Sequence, residues 1–248
     1  MNPLMCEAAM NEPHSNVLLF EHPYSALVIG ASGSIGSAFV EAFQKDPLCQ
    51  HVQALSRKQG LGFDLSSENA IQDAAGACQA FGPFKVIVDA TGVLSVDDKG
   101  PEKSLSALDA QHLHKLFQIN TIGPALLLKH FSSLLAPGAS IYAKLSARVG
   151  SISDNQKGGW YGYRASKAAL NMVLQTAALE LQRKNPELRV VALQPGTVKS
   201  KLSEPFVAGL STLLQPSDSV AGLLNAMKSL ASKSGAHFID YKGQDIPW

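Results

Sequence analysis

The chain has 248 residues, 46% of them hydrophobic and 17% charged, and its 21 basic and 20 acidic side chains leave a formal net charge of +1. This length can bury a large core as one domain, and the even charge balance argues against nucleic acid and anionic membranes as partners. The three cysteines, Cys6, Cys49 and Cys78, have no CxxC spacing, which argues against a disulfide framework and a zinc site.

The sequence also contains no recognisable targeting segment or metal-binding motif. No stretch reaches the roughly 18 apolar residues of a membrane span, and the first residues do not resemble a signal peptide, so we expect a cytoplasmic protein. Residues 1–23 are expected to form a loose N-terminal arm, and residues 24–248 one domain. His112 and His114 diverge on a helix, so no metal is predicted.

Short apolar runs alternate with helical patterns along the chain. Strands are predicted at residues 26–29, 52–55, 85–89, 140–145, 188–193 and 237–240. Helices are predicted at residues 34–45, 66–80, 105–136 with an interruption at 121–124, 161–183 and 216–230. The alternation predicts a single-domain α/β fold of Rossmann type: a doubly wound sheet of about seven mostly parallel strands, with helices on both faces.

A glycine-rich turn, "GASGSIG", joins the first strand to the first helix. Its glycines are Gly30, Gly33 and Gly36. Glycines in this position allow a tight turn and a close approach of the backbone to a pyrophosphate at the helix N-terminus. A P-loop would need Gly-Lys-Ser/Thr here, and a nucleophile elbow would need glycine at Ser34. Dinucleotide binding and a ligand-free tight turn remain.

Tyr163 and Lys167 stand four residues apart on a predicted helix, so both side chains lie on one face. The unperturbed pKa of tyrosine is about 10, and lowering it by three units needs roughly 4 kcal/mol. An ammonium about 4 Å away supplies roughly that energy. The pair could therefore act as an acid and base, although such spacing also occurs on ordinary packed or exposed helix faces.

Five motifs in order carry a family resemblance from about residue 26 to residue 240. They are the glycine turn, "DATG" at 89–92, Asn120 in "QINTIGP", the Tyr163 and Lys167 pair, and "QPGTVKS" at 194–200. Together they resemble the short-chain dehydrogenase/reductase family. Within it, "LSARVGSISDN" and "GGWYGYRASKAALNM" look most like the C-factor-like or sniffer-like carbonyl reductase branch.

The resemblance implies an NADP-dependent oxidoreductase that interconverts a carbonyl and an alcohol. Tyr163 would exchange a proton with the substrate oxygen, and Lys167 would lower the pKa of Tyr163 and hold the nicotinamide ribose. Asn120 would lie at a helix irregularity and hold a water of a proton relay. The remaining cofactor contacts implied are Gly30, Ser32, Ser34, Ile35, Gly36, Asp64, Ala90, Thr91, Gly92, Pro195, Gly196, Thr197 and Val198.

The end of the second strand bears on the choice of cofactor. Ser56, Arg57 and Lys58 stand where NAD-dependent enzymes of this fold usually have Asp or Glu. A hydroxyl and two cations suit the extra phosphate of NADP, so NADP is predicted over NAD. A solvated basic loop is the alternative interpretation.

Two departures from the family pattern matter. The GxxGxxG spacing is more typical of the extended branch with its sugar-nucleotide epimerases, but the chain after Gly196 is too short for their substrate region. Ala147 occupies the position of the usual active-site serine; Ser146 is the first candidate to replace it, and Ser151 the second. The missing hydroxyl keeps a second hypothesis open, an NADP-binding regulatory or signalling module with little turnover.

Substrate and assembly are less closely defined. Apolar residues of the expected substrate loop could form a lid or simply pack a short helix: Phe206, Leu210, Leu213 and Leu214. Trp160 could border the pocket or anchor the long helix. By resemblance, the helices around residues 119–136 and 161–183 would form the interface of a homodimer or homotetramer.

Overall fold

The sheet contains six parallel strands in the part of the chain that the structure describes. This structure is a computed structural model, and it describes residues 19–57, 63–97, 99–200 and 213–248. The strands are β1 (Tyr24–Ile29), β2 (Cys49–Leu55), β3 (Val86–Asp89), β4 (Ile141–Leu145), β5 (Arg189–Gln194) and β6 (His237–Asp240). About seven strands were expected; the described residues form six, one for each predicted segment.

The described ranges contain six α-helices. They are α1 (Ser34–Lys45), α2 (Glu68–Cys78), α3 (Ala110–Phe117), α4 (Gly123–Phe131), α5 (Tyr161–Leu181) and α6 (Pro216–Lys228). Helices α2, α4 and α5 pack their apolar side chains on one face of the sheet, and α1 and α6 pack theirs on the other. The sheet is thus covered on both sides, and its strands β3, β4 and β6 are buried at every position.

The strand order is β2-β1-β3-β4-β5-β6. The order reverses between β1 and β3, which are hydrogen-bonded neighbours. In open sheets of this kind a crevice forms beyond the carboxyl ends of the strands at such a switch point. Gly30 follows β1 and Ala90 follows β3, so both lie at this crevice.

The predicted interruption of the third helical pattern has a definite form. Residues Gln118–Ile122 make a π-helical segment between α3 and α4. Single π turns inside helices are rare and often occur at functional sites. The break lies slightly before the predicted interval, and it places Asn120 and Thr121 in the buried interior.

Three of the predictions fall on residues outside the described ranges. Most of the expected arm, residues 1–18, and most of the expected substrate loop, residues 201–212 with Phe206 and Leu210, lie outside the described residues, as does Lys58. Within the described ranges, no helix combines the length and the apolar character needed to cross a bilayer.

Candidate active site

The glycine turn packs its backbone tightly at the switch point. Gly30 has φ +83, and a Cβ on it would lie 3.0 Å from the carbonyl carbon of Ala90. A Cβ on Gly36 would lie 2.2 Å from the Gly30 carbonyl oxygen, closer than atoms can approach. Gly33 stands at the N-cap of α1, where the nearest atom would be 3.4 Å away. Two of the three glycines are therefore sterically required.

The N-terminus of α1 faces this turn with its backbone N–H groups. Ser34, Ile35 and Gly36 are the first helical residues, and no side chain caps the helix. Exposed Ser32 lies just before them in the turn. A helix N-terminus with a closely approaching glycine backbone is suited to a pyrophosphate. The arrangement brings together the residues that the sequence assigned to that group.

The end of β2 supplies the second group of predicted cofactor contacts. Ser56 is buried, whereas Arg57, directly after it, is exposed. Asp64 accepts hydrogen bonds from the backbone N–H and the hydroxyl of Ser66, at 2.9 and 2.8 Å. These bonds, with a smaller effect of the Arg57 charge, hold the pKa of Asp64 below its usual value. Its carboxylate is thus partly engaged in the turn before α2.

The end of β3 forms a turn held by Asn120. The Asn120 amide accepts from Val93 N–H at 2.9 Å and donates to the Val93 carbonyl at 2.9 Å. It also donates to the Ser166 hydroxyl at 3.2 Å. The turn residue Gly92 has φ +144, and a Cβ there would be 3.3 Å from both Asn120 Oδ1 and Lys167 Nζ. The π-helical segment thus directs Asn120 onto the predicted cofactor turn, next to Lys167.

Tyr163 and Lys167 lie on one face of α5, as their spacing predicts. The Lys167 ammonium lies 5.7 Å from the centre of the Tyr163 ring and donates to the Leu145 carbonyl at 3.2 Å. Burial raises the pKa of Tyr163 above its usual value. Burial, with the nearby Lys144 charge, lowers the pKa of Lys167 to about 7, although Asp89 opposes this shift. The sequence predicted that Lys167 lowers the pKa of Tyr163. In the structure the pKa of Tyr163 is raised instead, because burial is the largest influence on the pKa values of both groups.

The two serine candidates near Ala147 have different surroundings. The Ser146 hydroxyl donates to Asn171 Oδ1 at 2.6 Å, and both side chains are buried. Ser151 is also buried, and its hydroxyl oxygen accepts from Asp154 N–H at 3.1 Å. A hydroxyl has one hydrogen to donate. Ser146 has given that hydrogen to Asn171, whereas the bond to Asp154 leaves the Ser151 hydrogen available for another acceptor.

The fourth group of predicted contacts, Pro195, Gly196, Thr197 and Val198, follows β5. The Ser219 hydroxyl donates to the Pro195 carbonyl at 2.6 Å, and Leu214 N–H donates to the Thr197 carbonyl at 3.0 Å. A Cβ on Gly196 would be 2.7 Å from a methyl carbon of Leu214. Leu214, which the sequence left open between a lid and simple packing, has its side chain against this turn.

Trp160 lies immediately before α5 in a left-handed conformation, with φ +55. Its ring meets the Tyr163 ring edge-on, with centroids 6.1 Å apart. The Glu102 carbonyl accepts from Trp160 N–H at 2.5 Å, and the Glu102 carboxylate accepts from Gly162 N–H at 3.0 Å. Trp160 therefore both begins the helix and contacts the predicted catalytic tyrosine.

Sequence reasoning missed a buried ion pair at the centre of the site. Lys144 Nζ lies 3.0 Å from Asp89 Oδ1, and both side chains are fully buried. The residues are register partners on β3 and β4. The signal was present in "SIYAKL", where a lysine interrupts a strand predicted to be buried on both faces, because a buried charge requires a partner.

Comparison with known proteins identifies the class of this chain. A family model described as short chain dehydrogenase matches residues 25–210. The chain therefore belongs to the short chain dehydrogenase family of oxidoreductases, which confirms the family resemblance identified in the sequence. The C-signal protein of Myxococcus xanthus is 34% identical over 169 residues, which cover 67% of this chain and 94% of that protein.

Solved structures show the same fold. The NADPH-bound carbonyl reductase from chicken fatty liver superposes with a TM-score of 0.80 at 22% identity, over 92% of this chain and 95% of that one. The carbonyl reductase Sniffer of D. melanogaster gives a TM-score of 0.77 at 24% identity, over 92% and 100% of the two chains. This chain is thus similar to the C-signal protein in sequence and to the Sniffer carbonyl reductase in fold, in line with the expected branch.

Proposed function

We propose that this protein is an NADP-dependent carbonyl reductase in which Tyr163 and Lys167 form the acid-base pair. One observation carries the proposal: both side chains lie on one face of α5, and Lys167 borders the turn after β3, at the sheet edge that also carries the glycine turn. The hydride donor and the proton donor of a reductase must meet at one place, and this edge supplies both a cofactor cradle and a proton source.

The residues present suit the adenine dinucleotide. Gly30 and Gly36 have no side chains and lie close together, so a pyrophosphate can approach the backbone beside the α1 N-terminus. Ser32, Ser34, Ile35 and Asp64 would complete this end of the site. Exposed Arg57 would pair with the phosphate of NADP, with Ser56 beside it. Ala90, Thr91, Gly92 and residues 195–198 would line the nicotinamide end.

The proton chemistry follows from the two pKa shifts. NADPH, when bound, supplies the hydride that reaches the carbonyl carbon. The raised pKa of Tyr163 keeps its phenol protonated at neutral pH, so it can give a proton to the substrate oxygen as the alcohol forms. Lys167, with a pKa of about 7, can then return a proton toward the phenolate near neutral pH. Asn120 would hold the adjoining turn and a relay water.

A second donor to the substrate oxygen remains a choice between two serines. Ser146 would have to exchange its bond to Asn171 for one to the substrate. Ser151 would keep its bond from Asp154 N–H and could donate its own hydrogen. We retain Ser146 as the first candidate because it directly precedes the position held by Ala147, with Ser151 as the alternative.

Turnover assays test the proposal directly. Purified protein with NADPH and a panel of aldehydes and ketones should consume NADPH. Tyr163→Phe should lower kcat by about two to four orders of magnitude, since general acid catalysis contributes that much. Phe keeps the ring that packs on Trp160, so NADPH binding should remain.

A regulatory or signalling module is the second candidate, and two observations favour it. Ala147 lacks the usual hydroxyl, and the similar protein from Myxococcus xanthus is named C-signal. Tight NADPH binding with no turnover of any carbonyl would support this alternative over the reductase. As part of the reductase proposal we also infer a cytoplasmic homodimer or homotetramer, which light scattering can test by mass.

A further inference from the structure

The buried ion pair of Lys144 and Asp89 is not accounted for by the residues of the proposed reaction. A lysine inside a sheet costs free energy unless its charge and all its N–H groups are satisfied. Lys144 Nζ lies 3.0 Å from Asp89 Oδ1 and donates to the Thr91 carbonyl at 2.6 Å and to the Thr91 hydroxyl at 3.0 Å. With the Asp89 carbonyl at 3.5 Å, four oxygens surround the three N–H donors of this ammonium.

Asp89 also binds Thr91 directly. Its Oδ1 accepts from Thr91 N–H at 2.9 Å and from the Thr91 hydroxyl at 2.6 Å. Lys144 and Asp89 therefore form, with Thr91, one set of charge-assisted hydrogen bonds through Asp89 Oδ1, while Asp89 Oδ2 is buried without a hydrogen-bond partner among the described residues. The next residue, Gly92, is the one whose added Cβ would approach both Asn120 Oδ1 and Lys167 Nζ to 3.3 Å.

Strand β4 links the two ammonium groups. Lys144 holds the Thr91 turn with its side chain, and the carbonyl of Leu145, the following residue, accepts from Lys167 Nζ at 3.2 Å. A shift of the end of β4 would thus move both the turn and the anchor of Lys167. Such small displacements of reacting groups can cost two orders of magnitude in rate.

We propose that Lys144, through its ion pair with Asp89, is a positioning residue that sets the Thr91–Gly92 turn and the electrostatic environment of Lys167. This inference rests on the proposed reductase function for its effect on rate. The placement of Lys167 and its response to charge do not depend on turnover.

The charges that face Lys167 act in opposite directions. Lys144 on β4 lowers the pKa of Lys167, Asp89 on β3 raises it, and Tyr163 on α5 is the neighbouring neutral group. Asn120 from the π-helical segment adds no charge. Removal of the Lys144 charge should therefore raise the pKa of Lys167, and removal of the Asp89 charge should lower it.

Three variants test the inference: Lys144→Met, Asp89→Asn and the double variant. An NMR titration of isotope-labelled lysine, assigned with Lys167→Met, follows Lys167 without any substrate. The inference predicts an upward shift in Lys144→Met and a downward shift in Asp89→Asn. The double variant removes both charges of the pair together, so it should keep the fold. It should shift the Lys167 titration upward, since the Lys144 effect exceeds that of Asp89, and lose about tenfold or more in kcat.

The control is Lys129→Met, which removes an exposed lysine on α4 paired with Glu68 on α2 and should change neither the titration nor kcat. If the single variants fail to fold, the double variant decides. An unchanged Lys167 titration in the double variant, or wild-type kcat in it, would overturn the inference. If the wild type reduces no carbonyl, the reductase proposal fails, and the lysine titrations still judge the role of Lys144.

Discussion

The backbone of Gly36 lies against that of Gly30 so closely that a methyl group on Gly36 would sit 2.2 Å from the Gly30 carbonyl oxygen. Gly36→Ala should therefore displace α1 from the turn and lower the melting temperature and NADPH affinity together. Gly33→Ala is the matched control, because its nearest contact would be 3.4 Å and its φ of −77 is open to any residue. Calorimetry and NADPH titration of both variants measure the difference; equal losses would contradict this account of the turn.

Arg57 should decide between the two cofactors. Arg57→Ala removes the exposed guanidinium after β2 and should weaken NADPH binding roughly ten- to hundredfold, the usual worth of one charge-assisted hydrogen bond. NADH binding should change little, because NADH lacks the extra phosphate. The control is Arg183→Ala, an exposed arginine just beyond the far end of α5. Parallel losses for NADPH and NADH would argue against a phosphate contact.

Lys167 should make the stability of the protein depend on pH in a definite direction. Its pKa falls from 10.5 to about 7 on folding, so between these values the unfolded chain binds more protons than the folded one. The contribution of this group to stability therefore rises with pH from about 7 to about 10 and is least favourable below pH 7.

Lys167→Met removes the cost of burying this ammonium. At about 1.4 kcal/mol per pKa unit, the variant should be more stable than the wild type by a few kcal/mol at pH 6 and by much less at pH 10. Denaturant unfolding of wild type and variant at both values gives the comparison. A gain that is the same at both pH values would show that the ammonium is not buried as described.

Ser146 and Ser151 can be separated by matched alanine variants. Ser146→Ala leaves Asn171 Oδ1 buried without its donor, and such groups cost about 1–3 kcal/mol, so the melting temperature should fall. If Ser146 also donates to substrate, kcat falls further in Ser146→Ala than in Ser151→Ala. A large loss of kcat in Ser151→Ala alone, with Ser146→Ala changing only stability, would assign the substrate contact to Ser151.

Much of the fold was predictable because the strands contain short apolar runs and, except for β2, are largely buried. All six predicted strand segments form, and α1 ends at the predicted residues. The π-helical segment was predictable only as an interruption. Its form depends on Asn120 binding Val93 and on Thr121 donating to the Ser166 carbonyl, contacts between residues 27 and 45 positions apart.

The site was predictable where it depends on local spacing and not where it depends on burial. The four-residue interval between Tyr163 and Lys167 indicated a shared face, which needs only the helix period. The pKa directions of these groups depend on how much of the sheet and of the turn after β3 covers them. The pairing of Lys144 with Asp89 depends on strand register, which a single sequence does not provide.

The Lys144 and Asp89 pair also constrains how this sequence can diverge. Loss of either charge alone leaves the other uncompensated in the interior, so a lineage must change both almost together or first gain stability elsewhere. Among descendants of this chain the two positions should accordingly vary as a unit. Such covariation in an alignment would reveal the contact between Lys144 and Asp89, which a single sequence does not show.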